Sequence, residues 1–116
     1  MDQSLTPGGR TVGTFRVAPR ALGAPESPQP GATRFLIDFS GGDLSYYMSD
    51  PSMVETIATA SAGRILRTFL IPNTHIRGFR AGVDVAVDPG QSTDLRVFLR
   101  AGAKALTETW TFPWRA

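Results

Sequence analysis

Carboxylates, one histidine and a stripe of aromatics are the residues of this chain whose types could do chemistry. Asp84 and Asp88 share one face of an expected strand. Acid–base cleavage of a glycosidic bond needs two carboxyl groups flanking it, and an inverting pair holds them about 6.5–9.5 Å apart. Four residues at about 3.3 Å each set these Cα atoms roughly 13 Å apart, so the pair is expected to be two solvated acids. Glu108 has the parity of Trp110 and Phe112, which are expected to face a core. A carboxylate there needs an Arg or backbone N–H groups as donors. A general acid is the alternative role for it. His75 sits in the turn Asn73-Thr74-His75. A single histidine without cysteines or clustered acids makes no zinc site, and an exposed position is expected. No glycine-rich stretch follows a strand and opens a helix, so nothing cradles phosphate. These residues assign no catalytic, metal-binding or cofactor-binding position.

Aromatic side chains offer a second kind of chemistry. Trp110, Phe112 and Trp114 alternate along one segment. Alternate aromatics on a strand fill a sandwich core, although exposed rings can stack sugars. Trp114, nearest the end, is the candidate for sugar stacking. Phe98 lies between Arg96 and Arg100 at the opposite parity from Leu95, Val97 and Leu99. An aromatic flanked by arginines on an outer face resembles an interface patch, and so does Tyr46-Tyr47-Met48; local cover by the proline-rich loop is the alternative for either.

The elements that must position these residues are strands. Thr93 to Trp114 reads as two strands joined by a short glycine-containing turn, with side chains alternating between sheet faces. Thr11–Val17, Arg34–Phe39, Val54–Ser61, Arg64–Ile71 and Ile76–Val87 are the other expected strands. Ala62-Gly63 reads as a two-residue hairpin turn between two of them. Residues 43–53 form a long connection, and no helix is expected; 51–62 is the one helical rival. Residues 18–33 carry Pro19, Pro25, Pro28 and Pro30, a density that denies ladder hydrogen bonds and implies a surface loop or a disordered excursion. About seven short strands with turns at near-regular spacing predict an all-β, immunoglobulin-like antiparallel sandwich. No cysteine pair or tyrosine corner accompanies it, so the likeness is one of architecture.

Composition excludes several classes. One domain is expected from 116 residues. Residues 1–9 are polar and Gly/Pro-bearing and read as a linker or remnant; residues 10–116 read as the domain. Twelve basic residues face ten acidic ones, and the arginines are scattered, which is not the clustering of a nucleic-acid binder. No apolar run approaches a membrane span, and the first residues lack the pattern of a signal peptide. With no cysteine there is no disulfide or thiolate metal site.

Four stretches together resemble one family: RFLIDFSGG (34–42), VETIATASAGRI (54–65), VDPGQSTDLRVFLRAG (87–102) and LTETWTFPW (106–114). Over roughly residues 10–116 they are similar to the C-terminal domain of the periplasmic osmoregulated glucan biosynthesis proteins G and D, the MdoG family. LRVFLRAG and LTETW are the specific part. The resemblance implies a longer periplasmic protein whose N-terminal domain carries a cleft and acts on a β-glucan backbone. It makes this chain a small immunoglobulin-like accessory domain. The implied partner is that N-terminal domain, and β-glucan itself is the alternative. The interdomain-contact candidates are Arg96, Phe98, Arg100, Tyr46 and Tyr47, and no catalytic residue carries over. The chain alone is therefore expected to leave β-glucan oligosaccharides uncleaved in a reducing-end assay. Turnover that disappears on Glu108→Gln would overturn that expectation.

Overall fold

The computed structural model describes residues 8–17 and 32–116. The proline-rich segment anticipated as a loop falls, for residues 18–31, outside the described residues, and so do residues 1–7.

Strand β2 (Ala32–Gly41) and strand β5 (Gly78–Ala86) pair at the centre of a four-stranded antiparallel sheet. Strand β1 (Gly9–Val17) flanks β2 and strand β4 (Arg64–Asn73) flanks β5, giving the order β1-β2-β5-β4. The second sheet centres on β6 (Ser92–Ala101), with β3 (Glu55–Ala60) on one side. On the other side the two-residue β7 (Lys104–Ala105) and β8 (Trp110–Arg115) each pair with β6 itself, at different stretches of it. With β7 set aside and the rest lettered in order, the strands fall as A-B-E-D and C-F-G. That is the strand order of a seven-stranded constant-type immunoglobulin sandwich.

Period-two patterning builds both sheets. Phe79, Ala81, Val83 and Val85 alternate along β5 and are all buried. Phe35, Ile37 and Phe39 do the same on β2, and Leu95, Val97 and Leu99 on β6. These inward rows form one core with Leu44, Val54, Leu106 and Trp110. Burying one such side chain stabilises the fold by about 1.5–3 kcal/mol.

Two local expectations need correction. The connection 43–53 is not bare loop: it carries one helical turn, α1 (Leu44–Tyr47), which buries Leu44, and a 3₁₀ turn at Pro51–Met53. The hairpin at Ala62-Gly63 does not form, because β3 pairs with β6 and β4 with β5. Residues 61–63 are instead the corner where the chain leaves one sheet for the other. Gly63 has φ of 79°, and a Cβ there would meet the carbonyl oxygen of Ala86. The Thr93 hydroxyl pins the corner, accepting from the Ala62 amide at 3.0 Å and donating to the Ala62 carbonyl at 2.8 Å.

Both edge strands of the four-stranded sheet are bulged, β1 at Val12 and β4 at Leu66. Bulged edges twist away from further strand pairing. Between them, Gly82 sits mid-strand in β5, a position where glycine ordinarily weakens a sheet. Here its cross-strand partner is Phe69, and the ring occupies the space a Cβ would take. Gly82→Ala is expected to cost about 1–3 kcal/mol in urea unfolding by displacing that ring. With Phe69→Ala already in place the same change is expected to cost less, a non-additivity that a double-mutant cycle measures.

Candidate functional site

The carboxylates are placed differently from a solvated pair. Asp88 is exposed, but Asp84 is buried. Asp84 accepts two bonds from Arg34, Nε to Oδ1 at 2.7 Å and Nη2 to Oδ2 at 2.9 Å. Cross-strand register explains the pairing. Arg34 lies directly opposite Asp84 and Asp38 directly opposite Arg80. The second pair is also bidentate, at 2.8 and 3.0 Å, with Asp38 buried and Arg80 half-exposed. The Asp38 hydrogen bond raises the Arg80 pKa above its ordinary value, a gain that outweighs the lowering by burial, so the guanidinium stays charged. A signal for this was present in the sequence. RFLID and RAGVD each place Arg four residues before Asp on one face. Run antiparallel, the two segments bring each Arg against the other's Asp. Single-strand reading of Asp84 and Asp88 missed it.

Aromatic rings roof these pairs on the outer face. Arg34 lies 5.0 Å from the Phe69 ring centroid and Arg67 lies 5.6 Å from it, while Arg80 lies 5.2 Å from that of Phe15. The acids here are therefore held by guanidinium groups and covered, not presented to a substrate.

Glu108 is half-buried and accepts the Thr11 amide at 3.0 Å, so the backbone donor anticipated for it comes from the first strand. The chain closes further on this spot. Gly9 donates to Leu106 O at 3.0 Å, and Glu108 donates its amide to Gly9 O at 2.9 Å. His75 is exposed in its turn, with its amide donating to Asn73 Oδ1.

The interface candidates fall in two places. Arg96 is exposed, and Phe98 and Arg100 are half-buried, all on the outer face of the second sheet. Phe98 lies opposite Ile57 on β3 and is absent from the core, as its parity required. Arg100 reaches Glu55 at 3.4 Å, a surface pair of small value. Tyr46 is 77% exposed and makes an edge-on contact with Tyr47 at 5.2 Å, while Tyr47 packs back against the core. The structure does not bring Tyr46 and Tyr47 into one cluster with Phe98 through any described contact.

Trp114 faces inward. It lies opposite Thr93 and packs edge-on to Phe35 at 5.3 Å. Its half-exposed ring belongs to the margin of the core, with Trp110 and Phe112 beside it. A shallow depression of about 230 Å³ lies nearby, lined by residues that include Ser61, Ser92, Asp94 and Arg115. Among the described residues no group of three or more metal-ligating side chains converges. No helix among them is long and apolar enough to cross a membrane.

The geometry defines a two-sheet β-sandwich whose buried carboxylates serve the sheet. The sequence profile of the family described as "Periplasmic glucan biosynthesis protein, MdoG" matches residues 2–114, and the chain belongs to that family. It is 40% identical over 83 residues to the glucans biosynthesis protein D of Stenotrophomonas maltophilia strain K279a. It is 42% identical over 84 residues to the protein of the same name in Xanthomonas campestris pv. campestris strain B100. Each match covers 70% of this chain and only 15% and 16% of the two relatives, so the chain spans about a sixth of their length.

Breaking a buried pair from one side is costly because the remaining buried charge loses its carboxylate. Asp84→Ala is expected to lose about 3–5 kcal/mol in denaturant unfolding. Replacing both members, Arg34→Met with Asp84→Leu, is expected to lose much less, and equal losses would show that the pair is not the cause.

Proposed function

We propose that the chain is the accessory, non-catalytic β-sandwich of a periplasmic glucan biosynthesis protein, docked on the larger, glucan-acting N-terminal domain of the parent polypeptide. The observation that carries this is one of scale. The chain matches only 15–16% of its relatives, yet that share closes a core of its own. The use of the acids supports it. Asp38 and Asp84 are bound by arginines and Glu108 by a backbone amide, so none of these three is poised to act on a sugar linkage. The family's description supports a periplasmic location.

The contact candidates are Arg96, Phe98 and Arg100, with Tyr46 and Tyr47 at a separate point. Phe98 and Ile57 make an apolar pair between arginines, whose stems pack against a ring while their planar heads reach carboxylates. Direct contact with β-glucan as a carbohydrate-binding module is the second reading. It rests on Trp114, whose packing against Phe35 favours the docking reading instead.

Thermal unfolding of Phe98→Ala tests the choice. The chain alone is expected to lose no more than the roughly 0.2–1 kcal/mol of a cross-strand pair. A full-length glucan biosynthesis protein carrying the chain is expected to lose about 1.5–3 kcal/mol of interdomain stability. A large loss in the chain alone would make Phe98 part of its core. No added loss in the full-length protein would remove Phe98 from the contact.

A further inference from the structure

Docking asks for more apolar area than Phe98 and Ile57 present. A specific interface takes about 800 Å² from each partner. The larger candidate surface is on the opposite side of the sandwich. On the outer face of β1-β2-β5-β4, register lines up Phe15, Leu36, Gly82 and Phe69 in one row across all four strands. Ile71 stands in the adjacent row, opposite Arg80. Phe15 is 48% and Ile71 50% exposed, and the bulge residues Val12 and Leu66 are exposed at the two edges of the sheet.

The same face is cationic. The register places Arg10, Arg34, Arg64, Arg67 and Arg80 on it. Among the described residues only Asp38 and Asp84 oppose them, five charges against two, and both carboxylates are already bound. Aromatics and arginines are the residues enriched in interface cores. The platform is also pre-set, because the bidentate pairs and the guanidinium–ring contacts fix its side chains before anything binds. Little ordering is then left for association to cost.

We infer that the outer face of the four-stranded sheet is the principal seat of the parent polypeptide's remainder, which meets it with an apolar centre and an acidic rim. The inference rests on the docking reading above and makes Phe98 a smaller, secondary contact. Relatives supply ample chain for both, since the part outside the match is 85% of the first of them against 15% within it. A second copy of the chain fits less well. A two-fold contact would set one cationic face on another, and like charges across an interface repel.

Hydroxyl-radical footprinting of the full-length protein and of the 116-residue chain tests this. Phe15 and Ile71 are expected to be modified about tenfold more slowly in the full-length protein, as burial under a partner requires. Ile71→Asp in the full-length protein is expected to restore the Phe15 rate. Equal rates for Phe15 and Ile71 in the two proteins would overturn the inference. Protection of Phe98 without Phe15 and Ile71 would overturn it and leave the docking reading standing. Protection of none of the three would overturn both. Protection in the chain alone that grows with its concentration would assign the face to a second copy.

Discussion

Phe35 holds the sandwich together. It is a residue of the four-stranded sheet, yet its aromatic contacts are with the other one. Its ring lies 6.0 Å from Trp110, 5.6 Å from Phe112 and 5.3 Å from Trp114, centroid to centroid. Each tilted or edge-on contact adds about 0.5–1.5 kcal/mol to the burial of the rings themselves. Three alternate residues of β8 reach this single ring, so β8 lies over the part of β2 that carries it. Those contacts help fix how the two sheets face each other. They also decide the fate of Trp114, whose indole is drawn inward and is not left as a flat exposed ring.

Behind Phe35 the same strand carries the opposite kind of interaction on its outer face. Arg34 and Asp38 alternate with the core residues of β2 and are met by Asp84 and Arg80 on β5. Buried ion pairs seldom add net stability over apolar residues of the same shape, because desolvation offsets attraction. Their value here is register. A slip of β2 against β5 would set these charges against apolar neighbours and expose the core row at the same time. The ion pairs and the hydrophobic row therefore enforce one alignment from both sides of the sheet.

The strands of β2, β5 and β6 were legible because each carries a long, clean alternation, and the parity of Phe98 was legible for the same reason. What could not be read was which strand pairs with which. Ala62-Gly63 has the residues of a tight turn, and the backbone does turn there at Gly63. A hairpin and a sheet-to-sheet corner call on the same local chemistry. Thr93, about thirty positions away, is what pins the corner. Asp84 was misread for a related reason. Its neighbours in sequence suggest solvent, and only the pairing of two distant strands brings Arg34 to it. Glu108 shows the reverse case: its inward parity already demanded a donor, although not which one.

The clasp between the first strand and the last segment bears on the order in which the fold is made. Thr11 and Glu108 are 97 residues apart, and the Gly9 bonds to Leu106 and Glu108 span at least as much chain. Trp110 reaches Thr14 across a similar distance. Loop closure of that length is entropically expensive, and topologies rich in such contacts fold slowly. During synthesis β1 can pair with β2 early, but its other edge has no bonding partner until residues 106–110 have left the ribosome. The N-terminal margin of the domain is thus completed by the C-terminal one, and the sandwich is sealed in a late step rather than built up from one end.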